Sequence, residues 1–87
     1  MHQLEKKEKF YQNERKGSTL FVLEKVAYDQ GTAVYTFFDE SVKGWRCVNS
    51  FSHEQFCGFL ARQGVTLGTK VLLNFDLAGQ VQFAEVV

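Results

Sequence analysis

The stretch Ser52-His53-Glu54-Gln55-Phe56-Cys57-Gly58-Phe59-Leu60-Ala61-Arg62-Gln63-Gly64 decides the fold of this chain. Phe56, Phe59 and Leu60 fall at i, i+3 and i+4 with Cys57 and Ala61 beside them, which makes one face of a helix apolar. Ser52 and Gln55 have the spacing of a capping box, in which the hydroxyl takes an amide proton and the Gln side chain reaches back. Gly64 is placed to be the left-handed residue that ends the helix. A helix over 53–63 is predicted.

Upstream of that helix the chain reads as strands. The run Thr19 to Asp29, TLFVLEKVAYD, puts Leu20, Val22, Val26 and Tyr28 on one parity and Phe21 and Leu23 on the other. Such two-sided hydrophobicity, interrupted at Glu24-Lys25, predicts a long bent strand with a bulge. Gln30-Gly31 turns the chain into Thr32 to Asp39, with Val34 and Phe38 on one face and Tyr35 and Phe37 on the other. Residues Glu40 to Gly44 lead to a third strand, Trp45 to Phe51, where Trp45, Cys47 and Phe51 alternate with Arg46, Val48 and Ser50. Short connections make this an antiparallel meander. Downstream, Val71, Leu73, Phe75 and Leu77 alternate with Lys70, Asn74 and Asp76, and Ala78-Gly79 turns into a last strand. There Val81, Phe83 and Val87 are expected on one face and Gln82, Ala84 and Val86 on the other, which completes a hairpin.

Residues 1–17 differ in texture and are expected to form a charged helical arm, leaving 18–87 as one small domain. Residues 2–16 contain no Gly or Pro, and Glu5 and Lys9 lie four apart. Their few apolar residues, Leu4, Phe10 and Tyr11, would dock the arm.

The whole order is helix, three strands, helix, two strands, in the β-rich α+β class. From residue 19 onward that order resembles the oligonucleotide/oligosaccharide-binding (OB) fold, a five-stranded Greek-key barrel whose helix links the third and fourth strands. The resemblance rests on element order and implies closure, which would also relieve two exposed sheet edges. An open antiparallel sheet with the helix packed across one face is the alternative.

With 87 residues there is room for one core, and nine Phe, three Tyr and one Trp suit a compact globule. Ten Lys and Arg balance ten Asp and Glu, so the chain lacks the long-range positive field that gathers nucleic acid. Five of those cations, Lys6, Lys7, Lys9, Arg15 and Lys16, precede residue 17 with only three anions, Glu5, Glu8 and Glu14. No apolar run approaches the roughly 20 residues of a membrane helix and no leader follows Met1, so a cytoplasmic protein without a membrane partner is expected. Cys47 and Cys57, ten apart and without His at ligand spacing, read as buried structural thiols rather than a metal site, with a disulfide as the alternative.

Catalysis finds no assembled acid, base and nucleophile, and no metal or cofactor motif is present. His2 lies in the terminus and His53 in the first helical turn, where an exposed side chain is expected. Asp39 and Glu40 are adjacent in a turn, and Ser52 is expected to act as a cap. The expected role is non-catalytic binding of a protein partner or of a second copy, with Tyr11, Tyr35 and Trp45 as aromatic anchors. Single-stranded nucleic acid is the alternative, held by Tyr35, Phe37 and Trp45 as stacking platforms beside Lys43 and Arg46, with Lys6, Lys7, Lys9, Arg15 and Lys16 tracking phosphates. A competing assignment places Phe38 and Trp45 in the core and leaves Tyr35 half-buried.

Overall fold

A computed structural model of the chain describes residues 9–11, by their backbone, and residues 17–87. The elements are β1 (Lys9–Tyr11), β2 (Thr19–Asp29), β3 (Thr32–Asp39), β4 (Gly44–Asn49), α1 (Glu54–Arg62), β5 (Lys70–Phe75) and β6 (Val81–Val86). They build one antiparallel sheet in the order β1-β6-β5-β2-β3-β4. The helix of residues 54–62 interrupts the strand sequence as predicted, and the strand that follows it pairs with β2 rather than with β4. None of the described helices is long and apolar enough to cross a membrane.

The sheet is open, which corrects the expected closed five-stranded barrel and leaves the alternative, an open sheet with one helix. Closure would require β4 to reach β6, but the outer edge of β6 pairs instead with β1, in the register Lys9↔Glu85, Phe10↔Ala84 and Tyr11↔Phe83. At Lys9–Tyr11 the chain is therefore a strand rather than part of a helical arm. The rest of that predicted arm, 1–8 and 12–16, lies outside the described residues.

Although open, the sheet is strongly curled. Arg46 on β4 and Phe75 on β5 are separated by two intervening strands, roughly 14 Å if the sheet were flat. The guanidinium carbon nevertheless sits 3.9 Å from the centre of the Phe75 ring. The bend comes from the interruption read at Glu24-Lys25, where the register with β3 shifts between Leu23 and Lys25. Gln30 and Gly31 both have positive φ, 53° and 84°, the conformation that matches a two-residue hairpin turn to the twist of its strands.

The concave face carries the core: Phe21 and Leu23 from β2, Tyr35 and Phe37 from β3, Val48 from β4, Val71 and Leu73 from β5, Val81 and Ala84 from β6. Helix α1 covers it with Phe56, Cys57, Phe59 and Leu60, each fully buried side chain of this size contributing roughly 1.5–3 kcal/mol. Aromatic rings run through the whole depth, Phe75 to Phe21 at 5.9 Å, Phe21 to Phe37 at 6.3 Å, Phe37 to Phe56 at 6.3 Å and Phe56 to Phe59 at 6.1 Å. In β6 the simple alternation fails. A register shift at Asn74/Phe75 inserts one extra residue, so Val81 joins Ala84 in the core while Phe83 is buried outside that cluster.

The helix does not start through a capping box. His53 is the N-cap residue and makes no side-chain capping bond. The Ser52 hydroxyl turns back to Asn49 Oδ1 at 3.2 Å, and the same oxygen accepts the amide protons of Phe51 and Ser52 at 3.0 and 2.9 Å. Asn49 thus closes the turn that aims the chain into α1. The Asn49→Ala variant is expected to lose about 1–2 kcal/mol and Ser52→Ala distinctly less, as read from urea midpoints. Equal losses would return the capping role to Ser52.

Candidate binding face

Strands β3 and β4 pair with Phe38 opposite Trp45, Thr36 opposite Cys47 and Phe37 opposite Arg46. Because neighbours on a strand point to opposite faces, Trp45, Cys47, Phe38 and Thr36 share the convex face, while Arg46 joins Phe37 and Val48 on the concave one. Trp45 is 61 % exposed, in contrast to the assignment that placed it in the core. Its ring leans on half-buried Phe38, with centroids 5.0 Å apart. Its indole Nε1 donates to Glu24 Oε1 at 2.8 Å, which sets the ring's orientation. Glu24 follows the concave-face Leu23 on β2 and so stands on the convex face, at the bulge.

The two other aromatics predicted as surface platforms are core residues. Tyr35 and Phe37 are 7 % and 0 % exposed, because their parity on β3 is the concave one. Burial, then the neighbouring Cys57 and Tyr28, pushes the Tyr35 hydroxyl above its ordinary pKa of 10.0. Lys43 stands exposed in the β3–β4 turn with φ of 54°, near Trp45 in sequence. Arg46 is exposed at the rim of the concave face. Its stacking on Phe75 was not legible in the sequence, since the two lie 29 positions apart by number and meet only through the curl. Lys9 and Tyr11 belong to β1 at the far edge of the sheet, and Lys6, Lys7, Arg15 and Lys16 lie outside the described residues. The predicted site residues thus separate: Trp45, Arg46 and Lys43 gather at β4, and the others do not join them.

β4 is the last strand of the sheet, and nothing among the described residues pairs with its outer edge. Ser50 donates its amide proton to Ala33 at 2.8 Å, so Ser50 lies in a hydrogen-bonded pair with β3. Antiparallel ladders alternate, and Gly44, Arg46 and Val48 therefore also direct their amides and carbonyls toward β3. Trp45 and Cys47 direct theirs to the open edge.

The cysteines differ in kind. Cys57 is buried in α1 and Cys47 is exposed beside Thr36, which corrects the expectation that both are buried. Burial pushes the Cys57 thiol up from 9.0 to about 11. One thiol, Cys47, is expected to react rapidly with an aromatic disulfide reagent in the native protein, and the second only on unfolding. Two fast thiols would contradict the burial of Cys57. Between pH 9 and 11 the unfolded chain releases the Cys57 proton while the folded chain retains it, so stability is expected to fall as pH rises through that window.

A second concavity, about 400 Å³, lies where the start of α1 meets the β5–β6 turn, with Ser52, His53, Glu54, Asp76, Gln80 and Gln82 in its wall. His53 is half-buried rather than exposed, with Nδ1 3.1 Å from Ser52 Oγ and Nε2 3.4 Å from the Gly79 carbonyl. Asp76 is spent on its own turn, accepting from the Ala78 and Gln80 amides and from Gln82. The cleft therefore joins α1 to the hairpin. Among the described residues no group of three or more His, Cys, Asp or Glu is placed to hold a metal ion.

No protein-family model matches the chain, and neither a curated protein nor a solved structure is significantly similar to it.

Proposed function

We propose that this protein is a non-catalytic binding module that takes an extended segment of a partner protein along the open edge of β4. The observation that carries the reading is the exposed Trp45 on an edge strand, with its indole held by Glu24 and its backbone groups directed outward. An aromatic anchor fixed in one orientation loses little freedom on binding, and an unpaired edge supplies main-chain hydrogen bonds to an added strand.

The OB-like element order favours single-stranded nucleic acid as the second reading, with Trp45 as a stacking platform. The charge around the ring opposes it. A phosphate backbone crossing Trp45 would meet the Glu24 carboxylate, and a like-charge contact near 4 Å costs roughly 1–4 kcal/mol at a protein surface. The zero net charge offers no long-range attraction to set against it. Two free cysteines suit a reducing compartment such as the cytoplasm.

The test follows Trp45 fluorescence during two titrations. A set of extended peptides is expected to give saturable binding that disappears when alternate peptide nitrogens are methylated. A mixed-sequence single-stranded oligonucleotide at low salt is expected to leave the emission unchanged. Saturable oligonucleotide binding that fades with salt, or peptide binding indifferent to methylation, would overturn the proposal.

A further inference from the structure

We infer that the segment docking on β4 is acidic at one position, opposite Arg46, and apolar at the positions on either side. The inference rests on strand addition at β4 and specifies the chemistry of the partner.

Arg46 uses its backbone groups on β3, so toward an added antiparallel strand it occupies a non-hydrogen-bonded position. Directly opposed residues there approach to about 4.5 Å between Cα atoms, the closest side-chain pairing a ladder provides. The partner residue facing Arg46 lies on the concave side with it. Stacking on Phe75 at 3.9 Å holds the guanidinium at that rim without using its N–H donors. Those donors have no carboxylate partner among the described residues. A Glu or Asp opposite Arg46 would supply the acceptor in the geometry arginine favours.

The two neighbouring partner residues face the convex side, where Trp45 and Cys47 stand over Phe38 and Thr36. That surface is aromatic and thiol in character, and apolar or β-branched side chains pair best with it. The recognised pattern is apolar, acidic, apolar, carried on an extended backbone. Charge argues against a second copy of β4 in this place. An antiparallel β4–β4 pairing that uses the outward groups of both Trp45 and Cys47 would set the two Arg46 side chains directly opposite each other, a destabilising like-charge pair.

Three capped nine-residue peptides test this, each of Ser and Thr except for a central Val-Glu-Val, Val-Gln-Val or Val-Lys-Val. Binding is read from Trp45 fluorescence and from amide NMR shifts of residues 44–48. The Glu peptide is expected to bind roughly threefold to fivefold tighter than the Gln peptide, and the Lys peptide weaker than both. Arg46→Glu, its fold checked by circular dichroism, is expected to invert the order, which a merely structural role for Arg46 would not do. Equal binding of the three peptides, abolished by backbone methylation, would overturn the acidic preference and leave strand addition standing. Absence of binding by all three at millimolar concentration would overturn both. A dimer in sedimentation equilibrium with the β4 amides protected from exchange would overturn the inference in favour of a second copy.

Discussion

Phe37→Ala is expected to cost about 3–5 kcal/mol, most of the stability of a domain this small. Phe37 is fully buried and sits in the middle of the ring series that links Phe21 on β2 to Phe56 on α1. Its removal opens a cavity between sheet and helix that neither can fill, because β3 is pinned on both sides by ladders to β2 and β4. Urea unfolding of the variant would show the loss directly, as a lowered midpoint or as a chain already unfolded in buffer. A loss below about 1.5 kcal/mol would mean that the concave face is not the core and would return Phe37 to the candidates for binding.

Trp45→Ala is expected to behave in the opposite way. Its ring is mostly exposed and its single hydrogen bond is to a surface carboxylate, so the stability change should stay within about 1 kcal/mol. Binding of a docking peptide should fall by about 30-fold or more, the penalty typical of an aromatic hot spot removed from an interface. Because the substitution removes the fluorophore, affinity is measured by calorimetry and the melting temperature by circular dichroism. A variant that binds as the wild type would remove Trp45 from the site. Strong destabilisation instead would identify the Trp45–Phe38–Glu24 contact as a structural clasp.

The contrast between these residues, eight positions apart, marks how far the strand pattern carries. Parity along β3 places Tyr35 and Phe37 on one face and Phe38 on the other, and this is legible from alternation alone. Which face is core is not. That depends on where α1 lands, and α1 covers the face of Tyr35 and Phe37. A tyrosine and two phenylalanines look equally fit for a core or for a stacking surface until the helix is placed.

Local signals were legible wherever one residue's conformational demands decide the outcome. The Gln30-Gly31 turn, the bulge at Glu24-Lys25 and the left-handed Gly64 that follows α1, with φ of 64°, are of this kind. The capping box was not, since the Ser52 hydroxyl donates back to Asn49 Oδ1 instead of accepting an amide proton from the first turn of the helix. Whether a hydroxyl caps a helix or braces the preceding turn depends on the path by which the chain arrives.

By itself the sequence determined the strand runs from residue 19 onward, the position of the one described helix, and the neutrality that disfavours phosphate partners. It did so because periodicity, turn chemistry and net charge are sums over neighbours in the chain. Only the tertiary structure decided that the sheet stays open, that β6 pairs with Lys9–Tyr11, and that Arg46 rests on Phe75 while Trp45 reaches Glu24. Each of these joins residues more than 20 positions apart, brought together by sheet curl and edge competition. Such contacts follow from the packing of the whole chain, and no local pattern encodes them.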